Sequence, residues 1–229
     1  MIFSGLSNKY RFLILLLIIS VNIVFPPFLE HFFDTFIFFD ILTTAILIST
    51  VFALNKNRRY VFISALLAAP LILSIWLARY TGTAIFTPVG LLFGIFFFIF
   101  TAFNILKFIL SREYVTLEVI IGAVTVYLML GIIWSICYGF LETLFPGSFN
   151  FIQQDGMIEP YSIIYFSFVT LTTLGYGDIA PLTPVAQSLT LVEALVGQVY
   201  LVVLIAWLVG MHISEKKVSA PGHSRQSKH

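Results

Sequence analysis

From Tyr161 to Asp178 the chain reads YSIIYFSFVTLTTLGYGD, an apolar run that ends in two threonines and a Gly-Tyr-Gly-Asp sequence. Residues 161–172 are too few to cross a bilayer, which takes about 20 helical residues, and they lead directly into the glycine loop. Gly175 and Gly177 can take backbone conformations closed to other residues, so successive carbonyls can face the same way. The Thr173 hydroxyl adds one more oxygen at the inner end. On these grounds Thr172-Thr173-Leu174-Gly175-Tyr176-Gly177-Asp178 reads as an ion-coordinating loop.

The surroundings of this loop are apolar throughout. Of 229 residues, 59% are hydrophobic and 10% charged, against about 25% charged in a soluble domain, so most of the chain belongs in lipid. Its 25 phenylalanines suit lipid-facing and helix-packing surfaces. A net charge of +1 with no basic, aromatic-interleaved patch gives no support to nucleic-acid binding. Cys137 is the only cysteine, which excludes an intrachain disulfide and any cysteine-based metal site.

Six stretches are long enough to span: 11–29, 33–54, 60–79, 86–109, 115–144 and 187–212. Pro26-Pro27 should end the first near the membrane surface, and Pro70 should kink the third. Lys9 and Arg11 before Phe12–Ile19 look like the start of a secretory signal. No small-residue cleavage site follows, so a retained first helix is expected. The fold class expected is an all-α membrane protein with six transmembrane helices. A re-entrant pore helix and filter loop would sit between the fifth and sixth.

Loop charges orient this arrangement. Lys9, Arg11, Lys56, Arg58, Arg59, Lys107, Arg112, Lys216, Lys217, Arg225 and Lys228 fall on one side, and only Arg79 on the other. Under the positive-inside rule both termini are then cytoplasmic. The opposite loops hold Glu30, Asp34, Glu142, Asp155, Glu159 and Asp178, a ring of carboxylates above an outward-facing loop.

Residues 161–178 closely resemble the pore helix and selectivity filter of the tetrameric potassium channels. In such filters, rings of backbone carbonyls replace the water shell of K⁺. The resemblance implies K⁺ coordination by Thr173, Leu174, Gly175 and Tyr176, with Gly177 closing the filter. Tyr165 and Phe166 stand where the family has two adjacent aromatics, usually tryptophans, that buttress the filter. Thr172 and Asp178 match the filter base and the mouth aspartate. Leu174 replaces the usual valine or isoleucine. Its carbonyl rather than its side chain would meet the ion, so selectivity should survive while conductance or inactivation changes. Val169 stands where some bacterial channels carry a glutamate coupled to the mouth aspartate, and that coupling should be missing.

Gly197 lies twenty residues beyond Gly177, the family's spacing for a gating-hinge glycine; helix packing explains a membrane glycine equally well. Helical spacing puts Gln198, Leu201, Ile205, Val209 and Ile213 on one stripe that could line an inner cavity and gate. Glu193, near the start of the last helix, either supports the filter from behind through pore-helix hydrogen bonds or reaches interfacial water. Asp40 reads as a structural contact with Asn22 or another helix, or as a proton or cation sensor. Glu118 reads as an inner-interface residue near Arg112. His31, His212, His223 and His229 are scattered, which fits a solvated basic tail better than a metal or proton sensor.

The whole chain resembles a bacterial group of short six-helix potassium channels carrying a two-helix "ion channel" pore module. VTLEVIIGAVTVYLMLG and LVEALVGQVYLVVLIAWLVG carry that likeness, although the group has a basic residue where Trp207 stands. The expected division is a four-helix membrane domain over 1–113, a pore domain over 114–213 and a disordered cytoplasmic tail over 214–229. Voltage sensing needs cations at every third position of the fourth helix. FTPVGLLFGIFFFIFTAFNILKFI has Lys107 alone, so weak or absent voltage gating is expected. One filter per chain implies a homotetramer, with three identical subunits and membrane lipid as partners.

No phosphate-binding glycine loop, metal-ligand cluster or nucleophile motif appears, which speaks against an enzyme. No cofactor is expected; K⁺ enters as the permeant ion. The function expected is passive, potassium-selective conduction across a bacterial inner membrane. The rival readings are a weakly selective cation channel and the membrane subunit of a potassium uptake system.

Overall fold

A computed structural model of the chain describes residues 2–29, 35–53, 58–81, 85–112, 114–151, 153–154 and 157–219. Eight helices follow in order: α1 Ile2–Val24, α2 Pro26–Leu29, α3 Thr35–Ala53, α4 Arg58–Thr81, α5 Thr87–Leu110, α6 Leu117–Leu144, α7 Pro160–Leu171 and α8 Pro184–Ser219. A two-residue hairpin interrupts the otherwise helical order. In it β1 Gln153–Gln154 pairs antiparallel with β2 Met157–Ile158, Gln153 opposite Ile158.

The prolines act locally as their ring chemistry requires. α1 stops before Pro26, which opens the short α2, so the first helix ends ahead of residue 29, where the expected span of 11–29 closes. Pro70 lies inside a continuous α4. α6 begins behind Thr116, whose hydroxyl accepts from the Val119 amide at 3.4 Å. Among the described residues α4, α5, α6 and the first 28 residues of α8 are long and apolar enough to cross a membrane. α1 and α3 hold shorter apolar stretches, Arg11–Val24 and Asp40–Val51.

The largest core lies where α1, α3, α5 and α6 meet. Phe12, Leu15 and Ile19 of α1 pack with Leu47 of α3, Phe97 and Ile105 of α5 and Met129 of α6. Burying each such side chain stabilises a water-soluble fold by about 1.5–3 kcal/mol; within lipid the gain is close packing instead. Gly131 shows how close that packing is, since a Cβ there would lie 2.6 Å from the Phe168 ring of α7. α8 is the exception: 6% of its spanning window is buried, against 56% for α6.

Two ion pairs join helices, and one of them corrects an expectation. Arg79 of α4 donates through Nε and Nη2 to Asp40 Oδ2, at 3.0 and 2.7 Å. Of the two contacts expected for Asp40, the one with another helix is thus seen, on α4, and Asn22 is buried without a partner for its Nδ2. Glu118 accepts from Arg11 of α1 at 3.3 Å and not from Arg112. α1 runs along α6 and brings Arg11 to it, while the Arg112 guanidinium lies 4.2 Å from the Phe108 ring centre.

α8 continues through Ser219, so residues 214–219, expected to be disordered, are helical. Glu30, His31, Asp34, Lys56, Asp155 and the stretch 220–229 with His223, Arg225, Lys228 and His229 lie outside the described residues.

Candidate functional site

α7 ends at Leu171 and the chain turns back on it. The Thr172 amide bonds to the Phe168 carbonyl at 3.1 Å, Thr173 to Thr170 at 2.9 Å, and Leu174 to Val169 at 2.9 Å. The Gly175 amide shares the Val169 carbonyl at 3.3 Å. Val169, which carries no acid, thus serves the loop through its backbone.

From here every second residue is left-handed: Thr173 at φ 58°, Gly175 at φ 61° and Gly177 at φ 78°. In an extended strand, groups on successive residues alternate between two sides. A left-handed residue at every second position undoes that alternation, and the carbonyls of 173–177 can then share one side. Glycine takes this conformation freely, whereas an L-residue costs about 1–2 kcal/mol. Thr173 is the single non-glycine with positive φ among the described residues. Gln198 of α8 donates to its hydroxyl at 3.2 Å, a contact that helps hold the strained residue in place. Thr172 turns its hydroxyl back to the Phe168 carbonyl at 2.6 Å.

Above the loop, the two aromatics expected to act together diverge. The Tyr165 hydroxyl donates to Asp178 Oδ2 at 2.7 Å. Phe166 is buried between Tyr138 and Phe149, with ring centres 5.2 and 5.4 Å away. Position 169 was expected to lack an acid that could couple to Asp178, and it is Tyr165 that holds the Asp178 carboxylate. That hydrogen bond keeps the Asp178 carboxyl below the ordinary carboxylate range. A lowered value means that the contact favours the fold above that range and is lost as pH falls through it. Tyr165→Phe should therefore let Asp178 take up a proton at higher pH than in the wild type. An outer-pH titration of current, or of the Asp178 side-chain resonance, checks this.

The segment beyond Asp178 is held by residues that the sequence did not single out. Asn150 donates through Nδ2 to the Asp178 carbonyl at 3.3 Å and accepts from the Ala180 amide through Oδ1. The Leu182 amide bonds to the Ser148 carbonyl at 2.8 Å. Glu142, expected in the outer carboxylate ring, is buried instead. It accepts from the Gly147 amide at 2.6 Å and the Phe149 amide at 3.0 Å, pairing two amides of the loop that follows α6. A chain of contacts thus runs from α6 through the loop after it to Asp178 and Ala180. Asn150→Ala should cost about 1 kcal/mol, seen as a lower unfolding temperature and faster hydrogen exchange at the Ala180 amide. A Ser-Phe-Asn loop carries no pattern that would have marked these roles.

Below the loop, three residues of α8 dock onto α7 and the turn after it. Glu193 is fully buried and meets Ser167 of α7 at 2.6 Å and the Tyr138 hydroxyl of α6. Gly197 lies against Leu171, whose carbonyl oxygen would be 2.5 Å from an added Cβ. Packing thus gives Gly197 a structural reason of its own. Gln198 is the third. One turn further on, Tyr200 donates to the Ala123 carbonyl at 2.7 Å. Leu201 is half-buried, while Ile205, Val209 and Ile213 are exposed. So are Val199, Val202 and Val203, so the single chain does not set that stripe apart. Leu174 and Tyr176 remain 56% and 67% exposed.

Comparison with known proteins bears on this half of the chain. Residues 115–212 match the family model described as "Ion channel". Over 65 residues the chain is 38% identical to Two pore potassium channel c of Oryza sativa subsp. japonica, covering 28% of this chain and 14% of that protein. Over 65 residues it is 42% identical to Two-pore potassium channel 5 of Arabidopsis thaliana, covering 27% of this chain and 16% of that protein. The matched stretch is thus a small part of those relatives' length. No solved structure matches. The module matched is one of ion channels and not of enzymes, and with the apolar helices it makes the chain a multi-pass membrane protein.

Proposed function

We propose that the chain forms a homotetrameric, potassium-selective channel that conducts passively across a bacterial inner membrane. The observation that carries this reading is the left-handed backbone at 173, 175 and 177, set at the end of a helix too short to span. Such a backbone can present a column of oxygens to a dehydrated cation. The coordinating groups are the carbonyls of Thr173, Leu174, Gly175, Tyr176 and Gly177 with the Thr173 hydroxyl, and K⁺ is the substrate with no cofactor.

Four chains follow from two features. The sequence holds a single Gly-Tyr-Gly, whereas the plant relatives are named for two pores. The filter side chains and nearly all of α8 are left open by one chain, a surface that neighbouring subunits would cover. α1 to α4 and α5 form a front domain without a charge ladder: α5 has Lys107 alone, in its last turn. Voltage dependence is accordingly weak or absent. Both termini lie in the cytoplasm, as the loop charges require.

The test is the reversal potential of the purified protein in planar bilayers under opposed K⁺ and Na⁺ gradients. Reversal near the K⁺ equilibrium potential supports the proposal. Reversal near zero overturns it in favour of a weakly selective cation pore, in which Leu174 has loosened the filter packing. Flux that saturates and needs a second ion overturns it in favour of an uptake subunit.

A further inference from the structure

Glu193 is fully buried, and neither of the two ion pairs described above reaches it. Its two carboxyl oxygens face two hydroxyls. Tyr138 of α6 donates to Oε2, and Ser167 of α7 lies 2.6 Å from Oε1. The same Ser167 hydroxyl lies 2.7 Å from the Gly131 carbonyl of α6. A hydroxyl has one proton to give. If the carboxylate were ionised, Ser167 could bond to Glu193 or to Gly131 but not to both. One oxygen–oxygen contact would then have no proton in it.

A proton on Oε1 removes the conflict. Tyr138 then donates to Glu193, Glu193 to Ser167, and Ser167 to Gly131, so that three protons fill three contacts. Among the described residues the other titratable groups around Glu193 are Tyr127, Cys137 and Tyr138, all on α6, and none can supply a positive charge. An ionised carboxylate inside the membrane is costly without such a partner.

We propose that Glu193 works as a neutral, proton-bearing acid that fastens α8 to α7 and α6 directly behind the filter loop. It is a positioning residue, and its part in conduction rests on the channel reading above. The bond lies one turn before Gly197 and Gln198, so the segment 193–198 is fastened to α7 and to Thr173 as one block. Any movement of α8 that opens a gate must then take place beyond Gln198.

The test uses the full-length protein in lipid vesicles at neutral pH. Infrared difference spectra of wild type minus Glu193→Gln should show the carbonyl stretch of a protonated carboxylic acid. Carboxylate bands in its place overturn the proposal. Glutamine can donate to Ser167 and accept from Tyr138, so Glu193→Gln should keep K⁺ flux within about twofold of wild type. Glu193→Ala, which loses both bonds, should lower the flux about tenfold or more and lower the unfolding temperature. A glutamine variant as damaged as the alanine variant overturns the proposal, because the site would then use the charge and not the donated proton. Absence of flux from the wild type counts against the channel reading. The infrared and unfolding comparisons would still decide the protonation.

Discussion

Gly175→Ala is expected to abolish potassium-selective current while leaving the helical body folded. Gly175 sits at φ 61° with nothing within 4 Å of an added methyl group in its own chain. The cost is therefore conformational rather than steric, about 1–2 kcal/mol for an L-residue in the left-handed region. In a four-chain pore the same strain enters four times, roughly 4–8 kcal/mol in total. The loop has an easy escape, because a negative φ at 175 relieves the strain and turns a carbonyl away from its neighbours. The fold is then spared and the oxygen column is lost.

Planar-bilayer recording together with helical circular dichroism reads both halves of that expectation. Gly147→Ala is the matched control. Gly147 has φ 85° and equally open surroundings, but lies in the loop after α6. It should show a comparable loss of stability with the reversal potential unchanged. Wild-type current and selectivity from Gly175→Ala would mean that the loop is not the conducting element.

Gly197→Ala should be nearly as damaging, by a different route. The new Cβ would lie 2.5 Å from the Leu171 carbonyl oxygen and 2.8 Å from Leu171 Cδ1. The first of these is backbone at the end of α7, which cannot swing aside as a side chain can. Overpacking of this kind costs about 1–3 kcal/mol per site. It exceeds the gain of about 1 kcal/mol that alanine brings over glycine inside a helix. The displacement is passed to Thr172 and Thr173, which follow Leu171 directly, and to the Gln198 contact beside it. The expected result is a lower unfolding temperature together with altered conductance or selectivity. Gly139→Ala on α6 is the comparison, since its nearest neighbour would be a side-chain carbon at 3.7 Å. That variant should be neutral or slightly stabilising. A hinge at Gly197 would instead predict a stable protein whose gating alone is changed, and a wild-type unfolding temperature for Gly197→Ala would favour it.

The glycine loop and the long apolar helices were legible because each depends on residues close in sequence. Left-handed backbone at Gly175 and Gly177 follows from the missing Cβ, and the break at Pro26 from the missing amide proton. The left-handed Thr173 was not legible, since threonine has no preference for that conformation and is held there from outside. The outer clasp was missed for a similar reason. Asn150 looks like an ordinary loop polar residue until the segment 178–180 is brought beside it, and Glu142 like a helix-end acid until the chain of 147–149 folds back on it.

What the sequence determined by itself is the chemistry of the loop and the number of apolar residues on either side of it. Tertiary structure alone decided which partners the polar groups take. Ser167 and Glu193 are 26 positions apart, Tyr138 and Glu193 are 55, and Arg11 and Glu118 are 107. Whether such groups meet depends on how each helix is rotated about its axis. That rotation is set by packing along whole helix faces, such as Phe12 and Leu15 against α5 and α6 or Gly197 against Leu171. No local run of residues encodes it.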